Sequence, residues 1–209
     1  MATTMNTRTI ITFLVITVGV MLGVGGLLWN FGQQEEKPIA EIAGEMRYKE
    51  GSGNIILVEF SDFQCPACRA VQEPLTAILL KYQDKITMVY RHFPLSNIHK
   101  NAQIAARATE AAYQQGKFWE MHDLLFEKQT EWAELTDPRE KLSEYAGKIG
   151  MEKEKFVSDL ESDQTKQVVA NDLLAATRYR LTGTPTFFVN GIKTEFTQLE
   201  ARIAELTKE

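Results

Sequence analysis

Cysteine is nearly absent. The 209 residues hold two, Cys65 and Cys68, and both lie in the stretch FSDFQCPACRA at 60–70. That scarcity excludes a disulfide-dense scaffold. Histidine is almost as rare: His92, His99 and His122 are scattered without ligand spacing, which counts against a structural zinc site needing four ligands. No run of Lys and Arg occurs, and the net charge of −5 argues against a nucleic-acid partner, which wants a concentrated basic face. Internal repeats and low-complexity segments are missing too. What remains is an ordinary globular composition, 44% hydrophobic and 24% charged, long enough for one sizeable domain plus an appendage.

The appendage is at the N-terminus. Residues 10–28, IITFLVITVGVMLGVGGLL, carry no charge, and such a helix would span roughly 28 Å, about one hydrocarbon core. Arg8 precedes the run, Trp29 closes it, and Glu35 and Glu36 follow. Positive residues favour the cytoplasmic side. The expected layout is therefore a short cytoplasmic segment at 1–9 and a single-pass signal anchor at 10–29 in the cytoplasmic membrane, with the rest extracytoplasmic. A cleaved signal peptide is the competing reading, weakened by the lack of a small-x-small cleavage site. No cysteine follows that could carry a lipid. Both readings put the two cysteines where disulfides persist. Residues 30–53, polar and broken by Gly32, Pro38, Gly44, Gly51 and Gly53, read as a linker to a domain at 54–209.

Within that domain IILVEF at 55–60 predicts a buried strand. Pro66 opens a helix running to about 82, where its missing N–H costs nothing. KITMVYRH at 85–92 is a second strand. From about 98 to 180 the pattern is helical, with segments centred on 118–127, 139–148, 152–160 and 163–179. TFFV at 186–189 returns to strand, Asn190-Gly191 signals a hairpin, and 192–196 is its partner. Thr197 and Glu200 suggest a capping box for a last helix. The fold class is α/β: a small mixed sheet with flanking helices, its first two strands joined by a right-handed crossover, and a helical insertion.

With Pro66 as first helical residue, Cys65 occupies the helix N-cap. There free backbone N–H groups and the positive end of the dipole stabilise an anion, and the thiolate is the attacking species in disulfide exchange. Cys68, one turn further in, is expected to be shielded and resolving, with Cys65 exposed. A static bridge over so short a loop gains little chain entropy, and metal lacks further ligands, so reversible redox chemistry leads both.

Three blocks, LVEFSDFQCPAC at 57–68, YRHFPL at 90–95 and TGTPTFFVNG at 182–191, resemble the thioredoxin superfamily. In particular they resemble DsbA-like thiol-disulfide oxidoreductases of the membrane-anchored BdbD-like branch. The resemblance covers about residue 54 to the C-terminus. It implies a thioredoxin fold and a protein thiol-disulfide oxidoreductase whose only redox group is the Cys65–Cys68 pair, without cofactor or metal. It implies a cis peptide before Pro185, beside the cysteines, and backbone groups of Thr184 offered to an extended substrate, with Pro66 and Ala67 at the same surface. Glu59, six positions before Cys65, falls where such proteins carry a buried acid, able to take a proton from Cys68. His92 reads as structural, and His99 and His122, placed on helical segments, need no functional role. One departure stands out. The best-known DsbA has Pro-His between its cysteines, where this chain has Pro66-Ala67, so the redox poise is open.

The implied activity is disulfide introduction into exported proteins, with reoxidation by a membrane partner of the DsbB or VKOR type. Alternatives are a reductase or an isomerase of the same fold. An isomerase would be a dimer with an added N-terminal domain, for which 30–54 is too short, so a monomer is expected. A copper-carrying or peptide-binding module without turnover belongs to a different class, and the lack of Met or His clusters near Cys65 counts against it.

Overall fold

A computed structural model of the protein describes residues 37–208, together with Ile16, Thr17, Val20 and Met21, which are helical. Otherwise the segments read as cytoplasmic, membrane-spanning and initial linker lie outside the described residues. Among the described residues no helix is long and apolar enough to cross a membrane.

Chain order runs α1 (Ile39–Ala43), β1 (Tyr48–Gly51), β2 (Ile55–Ser61), α2 (Pro66–Lys81), β3 (Ile86–His92), α3 (Ala102–Tyr113), α4 (Phe118–Glu127) and α5 (Gln129–Trp132). It continues with α6 (Arg139–Lys148), α7 (Lys153–Glu161), α8 (Asp163–Arg178), β4 (Thr186–Val189), β5 (Ile192–Thr194), a 3₁₀ turn (Phe196–Gln198) and α9 (Leu199–Leu206). The sheet order is β1-β3-β2-β4-β5. β2 and β3 are parallel through the α2 crossover, and the other pairings are antiparallel. This is the mixed sheet with a helical insertion that the sequence pattern predicts.

Period-two alternation sorts the side chains between two faces. Leu57, Met88, Phe187 and Val189 pack with Leu75 and Ile78 of α2 and with Leu199 and Ile203 of α9. Val58, Phe60, Val89 and Phe188 pack on the opposite face with Ile42, Ala43 and Ala176. A third core fills the helical insertion and reaches Phe63, Cys65 and Cys68. On the α2 face the apolar rows give way to polar ones toward the strand ends: Glu59 pairs in register with Tyr90, and Ser61 with His92. The site lies above this polar end.

The expected linker at 30–53 needs correction, since the fold begins well before residue 54. Ile42 and Ala43 are fully buried, and β1 extends the sheet beside β3. Tyr48 stacks on Phe118 at 4.0 Å and donates to Glu110, which also pairs with Arg47 Nη2 at 2.6 Å. Of the glycines that read as linker breaks, Gly44 caps α1 and Gly51 ends β1. Gly44, at φ +59°, leaves room for a guanidinium, and a Cβ there would sit 2.5 Å from Arg91 Nη1. Two smaller expectations also change. The last strand stops at Thr194. No capping box forms, because Gln198 is the N-cap of α9 without a side-chain cap bond, and Glu200 instead takes Lys81 Nζ at 2.6 Å.

Arg91 ties these layers. Its Nε donates to Asp172 Oδ1 on α8 at 2.6 Å, and its Nη1 donates to the Ile42 carbonyl on α1 at 2.9 Å. Asp172 Oδ2 accepts the His92 backbone N–H at 2.9 Å. Removing one partner of such a buried pair strands the other charge. Asp172→Ala should therefore lower the unfolding free energy by about 3–5 kcal/mol in urea titration. A loss under about 1 kcal/mol, the range of a surface pair, would show that the guanidinium is otherwise satisfied.

Candidate active site

β2 delivers the chain to the site through an Asx turn. Asp62 Oδ1 accepts the Gln64 N–H at 2.8 Å, and the Asp62 carbonyl accepts the Cys65 N–H at 3.0 Å. Gln64 and Gln129 bracket the loop from inside. Gln64 Nε2 donates to the Ala133 carbonyl at 2.7 Å, and Gln129 Nε2 donates to the carbonyls of Phe63 and Cys65 at 2.8 and 3.0 Å. α2 then starts with Cys65 as N-cap, in extended conformation, and Pro66 next.

The two thiols are free, and their surroundings differ. Cys68 is fully buried and Cys65 is 7% exposed. The expectation of an exposed Cys65 is therefore wrong in degree. Its side chain joins the edge of the helical core and lies against the Thr184–Pro185 segment, with Sγ 3.6 Å from the Thr184 carbonyl oxygen. The Thr184–Pro185 peptide is cis. Pro66 and Ala67 are exposed beside this contact.

Electrostatics separates the thiols further. The Cys65 pKa is lowered to about 5, chiefly by the hydrogen bond from the Cys68 thiol, against the cost of burial and with help from the backbone N–H groups of Cys68 and Ala67. Burial pushes the Cys68 thiol well above its usual range, and the bond to Cys65 and the nearby Glu59 add to that. The pair thus holds one proton, on Cys68.

Beneath them Glu59 is fully buried, and burial raises its pKa. Gln72, one turn past Cys68, donates to Glu59 Oε1 at 3.2 Å and to the Cys68 carbonyl at 3.1 Å. His92 is fully buried at the end of β3. Burial, then Arg91, lowers its pKa to about 3, so it is neutral at neutral pH. Its ring packs against Tyr48, Tyr90 and Phe118.

One histidine lies elsewhere than the sequence suggests: His99 is outside the helices. His99 sits in a turn, and its Nδ1 meets Asp62 Oδ2 at 2.7 Å. His122 is on α4 but buried, ringed by Phe63, Tyr90, Trp119 and Phe126. Asp62, Gln72 and His122 are residues that sequence reasoning missed. A histidine on the apolar face of FWEMHDLLFE, and an Asp two residues before Gln64, were the available signals. Among the described residues no group of three or more His, Cys, Asp or Glu could hold a metal ion.

A family profile described as Thioredoxin matches residues 48–208. The chain belongs to the thioredoxin family. Among solved structures this thioredoxin-family chain is similar to BdbD from Bacillus subtilis, with TM-score 0.70 and 20% identity over 83% of this chain and 97% of that one. It is similar also to a thioredoxin-like oxidoreductase from Silicibacter pomeroyi, with TM-score 0.68 and 23% identity over 83% and 99%. A third is the thiol-disulfide exchange protein alpha-DsbA2 from Wolbachia pipientis, with TM-score 0.66 and 20% identity over 80% and 90%. The DsbA-like fold is thus shared. By sequence, 137 residues are 39% identical to a protein of Salinispora tropica named Na(+)/H(+) antiporter NhaA 3, covering 66% of this chain and 20% of that protein. A protein of Herminiimonas arsenicoxydans named Na(+)/H(+) antiporter NhaA is 35% identical over 156 residues, 75% of this chain and 24% of that protein. The chain therefore spans about a fifth to a quarter of the length of these curated relatives.

The depressed Cys65 pKa has a direct readout. Thiolate absorbance of the reduced protein should titrate with a midpoint near 5. The thiolate's contribution to the stability of the reduced form should be full near pH 8.5, the ordinary thiol value, which is about 8.5. It should fall with pH and vanish below about 5. Above about 8.5 the sign reverses, because Cys68 stays protonated when folded and ionises when unfolded. Denaturant titrations of reduced wild type against Cys65→Ser across this range check both limbs. A midpoint near 8.5 would refute the assignment.

Proposed function

We propose that this chain is a protein thiol-disulfide oxidoreductase that introduces disulfides into exported proteins on the extracytoplasmic side of the cytoplasmic membrane. The single observation that carries the reading is the asymmetry of its two thiols: a thiolate-stabilised Cys65 beside the cis Thr184–Pro185 peptide, and a buried, protonated Cys68.

In the oxidised protein a substrate thiolate attacks Cys65 Sγ. A substrate–Cys65 bond forms, the Cys65–Cys68 bond breaks, and Cys68 leaves as a thiolate that takes a proton from Glu59. A second substrate thiolate then attacks the substrate sulfur of the mixed disulfide. Substrate disulfide forms, and Cys65 leaves as the stabilised thiolate. Two electrons have passed to the protein, which ends with Cys65 ionised and Cys68 protonated. Stabilising that reduced state makes the disulfide a better oxidant. The Thr184 carbonyl beside Cys65 suits strand-like docking of an unfolded substrate there.

An anchor at 10–29 would hold the domain at the membrane, where an integral reoxidant of the DsbB or VKOR type would collect the electrons. The match to a segment of proteins named Na(+)/H(+) antiporters supports a membrane setting for a domain of this kind; antiport is not proposed. A monomer is the working unit.

The reduction potential tests the direction of flow. It should lie well above thioredoxin's value of about −270 mV, and a potential as low as that would make the protein a reductase instead. Cys68→Ala should accumulate mixed disulfides through Cys65 in cells, and Cys65→Ser should accumulate none. Equal trapping by the two variants would overturn the assigned roles.

A further inference from the structure

Cys68 gains a proton when the pair is reduced and loses it when the pair is reoxidised, yet it is fully buried, and so is Glu59. A carboxyl with no solvent contact can serve the thiol once and must then be refilled or emptied. That requires a route to water.

A groove of about 830 Å³ lies between α2, α4 and the β1–β3 edge, and Gln72 and His122 both line it. Gln72 holds Glu59 Oε1 and the Cys68 carbonyl from the groove side. His122 joins inside to outside. Its Nδ1 meets Asp123 Oδ1 at 2.8 Å, and that carboxylate is 78% exposed. Its Nε2 is buried and has no hydrogen-bond partner among the described residues, and the same is true of Glu59 Oε2. The His122 ring lies edge-on to Tyr90 at 5.1 Å, and Tyr90 is the register partner of Glu59. An imidazole accepts a proton on one nitrogen while releasing one from the other, so this placement suits a relay.

We propose that His122 passes protons between Glu59 and the solvent of the α2–α4 groove, making it the positioning residue through which Glu59 serves Cys68. The inference rests on the oxidoreductase reading above. Moving the Glu59 proton onto His122 leaves an imidazolium facing a carboxylate, and that carboxylate can then take the Cys68 proton. A positive His122 favours the Glu59 carboxylate, consistent with this pairing. The other titratable groups facing His122 or its groove are Tyr90 and His92 from β3, Arg69 and Glu73 from α2, Glu50 from β1, and Asp123 and Glu127 on its own helix.

The test uses reduced protein and oxidised glutathione, which separates two steps. The Cys65 thiolate first forms a mixed disulfide with glutathione, expelling one glutathione thiolate. Cys68 then loses its proton to Glu59 and attacks Cys65 Sγ. The Cys65–Cys68 bond forms, and the second glutathione leaves as thiolate. Acid quenching and mass spectrometry follow the mixed disulfide. In His122→Phe, which keeps an aromatic ring in an aromatic surround, the second step should slow by about a hundredfold, the low end of what a positioned proton carrier contributes. In His122→Ala, added imidazole entering the groove should restore it. Glu59→Gln should slow the same step, and the double variant should be no slower than Glu59→Gln alone. An unchanged second step in His122→Phe, or a slow His122→Ala that imidazole does not restore, overturns the relay. If the wild type forms no mixed disulfide at Cys65, the oxidoreductase reading itself fails, a result distinct from either.

Discussion

Everything at this site depends on where α2 starts. Pro66 has no N–H to contribute and a φ already set for a helix, so the helix begins between the two cysteines. Cys65 is left outside as N-cap, and Cys68 is carried inside. Had the helix begun one turn earlier, both thiols would face the same environment and neither would be favoured as the anion. With the boundary where it is, one sulfur receives the free N–H groups of the first turn and the other is turned onto the sheet. There it meets the polar end of the β2 and β3 rows, with Glu59 beneath it and Gln72 reaching back to its carbonyl.

Burial then biases that polar row toward its neutral forms. Desolvation raises the pKa of Glu59 and Tyr90 and lowers that of His92 to about 3, each shift favouring the neutral form. The Cys65 thiolate consequently faces a low-dielectric floor in which a second anion is disfavoured. An ionised Glu59 would oppose loss of the Cys68 proton through its own charge, which is why a carboxyl that can be either acid or carboxylate is useful there. The arrangement costs stability that a hydrophobic row would not. On the proposed reading, the place of Glu59 beneath the two thiols fits proton traffic.

Much of this was legible in the sequence. Apolar runs and the Asn190-Gly191 turn, with both residues at positive φ, placed β2, β3, β4 and the final hairpin. The helical periods of 139–148 and 163–178 are local and were readable to within a residue. β1 was not readable, because only Tyr48 of its four residues is buried. A strand held by pairing with residues some forty positions away, Tyr48 against Tyr90, leaves no period of its own. The same reason hid the histidines. His99 acquires its meaning from Asp62, 37 residues away, and His122 from a groove made by another helix. Cys65 read as exposed because its cover, Thr184, is 119 positions downstream.

Ala67 sharpens what the thiolate rests on. A histidine there would supply a second titrating neighbour, and the Cys65 pKa would follow that group's charge. With alanine, the donors are the Cys68 thiol, backbone N–H groups and the Thr184 side chain, none of which loses its proton in the neutral range. The leading contribution is the Cys68 proton itself, so the two sulfurs are linked directly: a protonated Cys68 favours the Cys65 anion. Whatever governs the Cys68 proton therefore acts on both steps of exchange, lowering the leaving-group pKa at Cys65 when the proton is present and arming Cys68 for attack when it is gone. On the proposed reading, control of one buried proton takes the part of a side-chain charge that Ala67 does not provide.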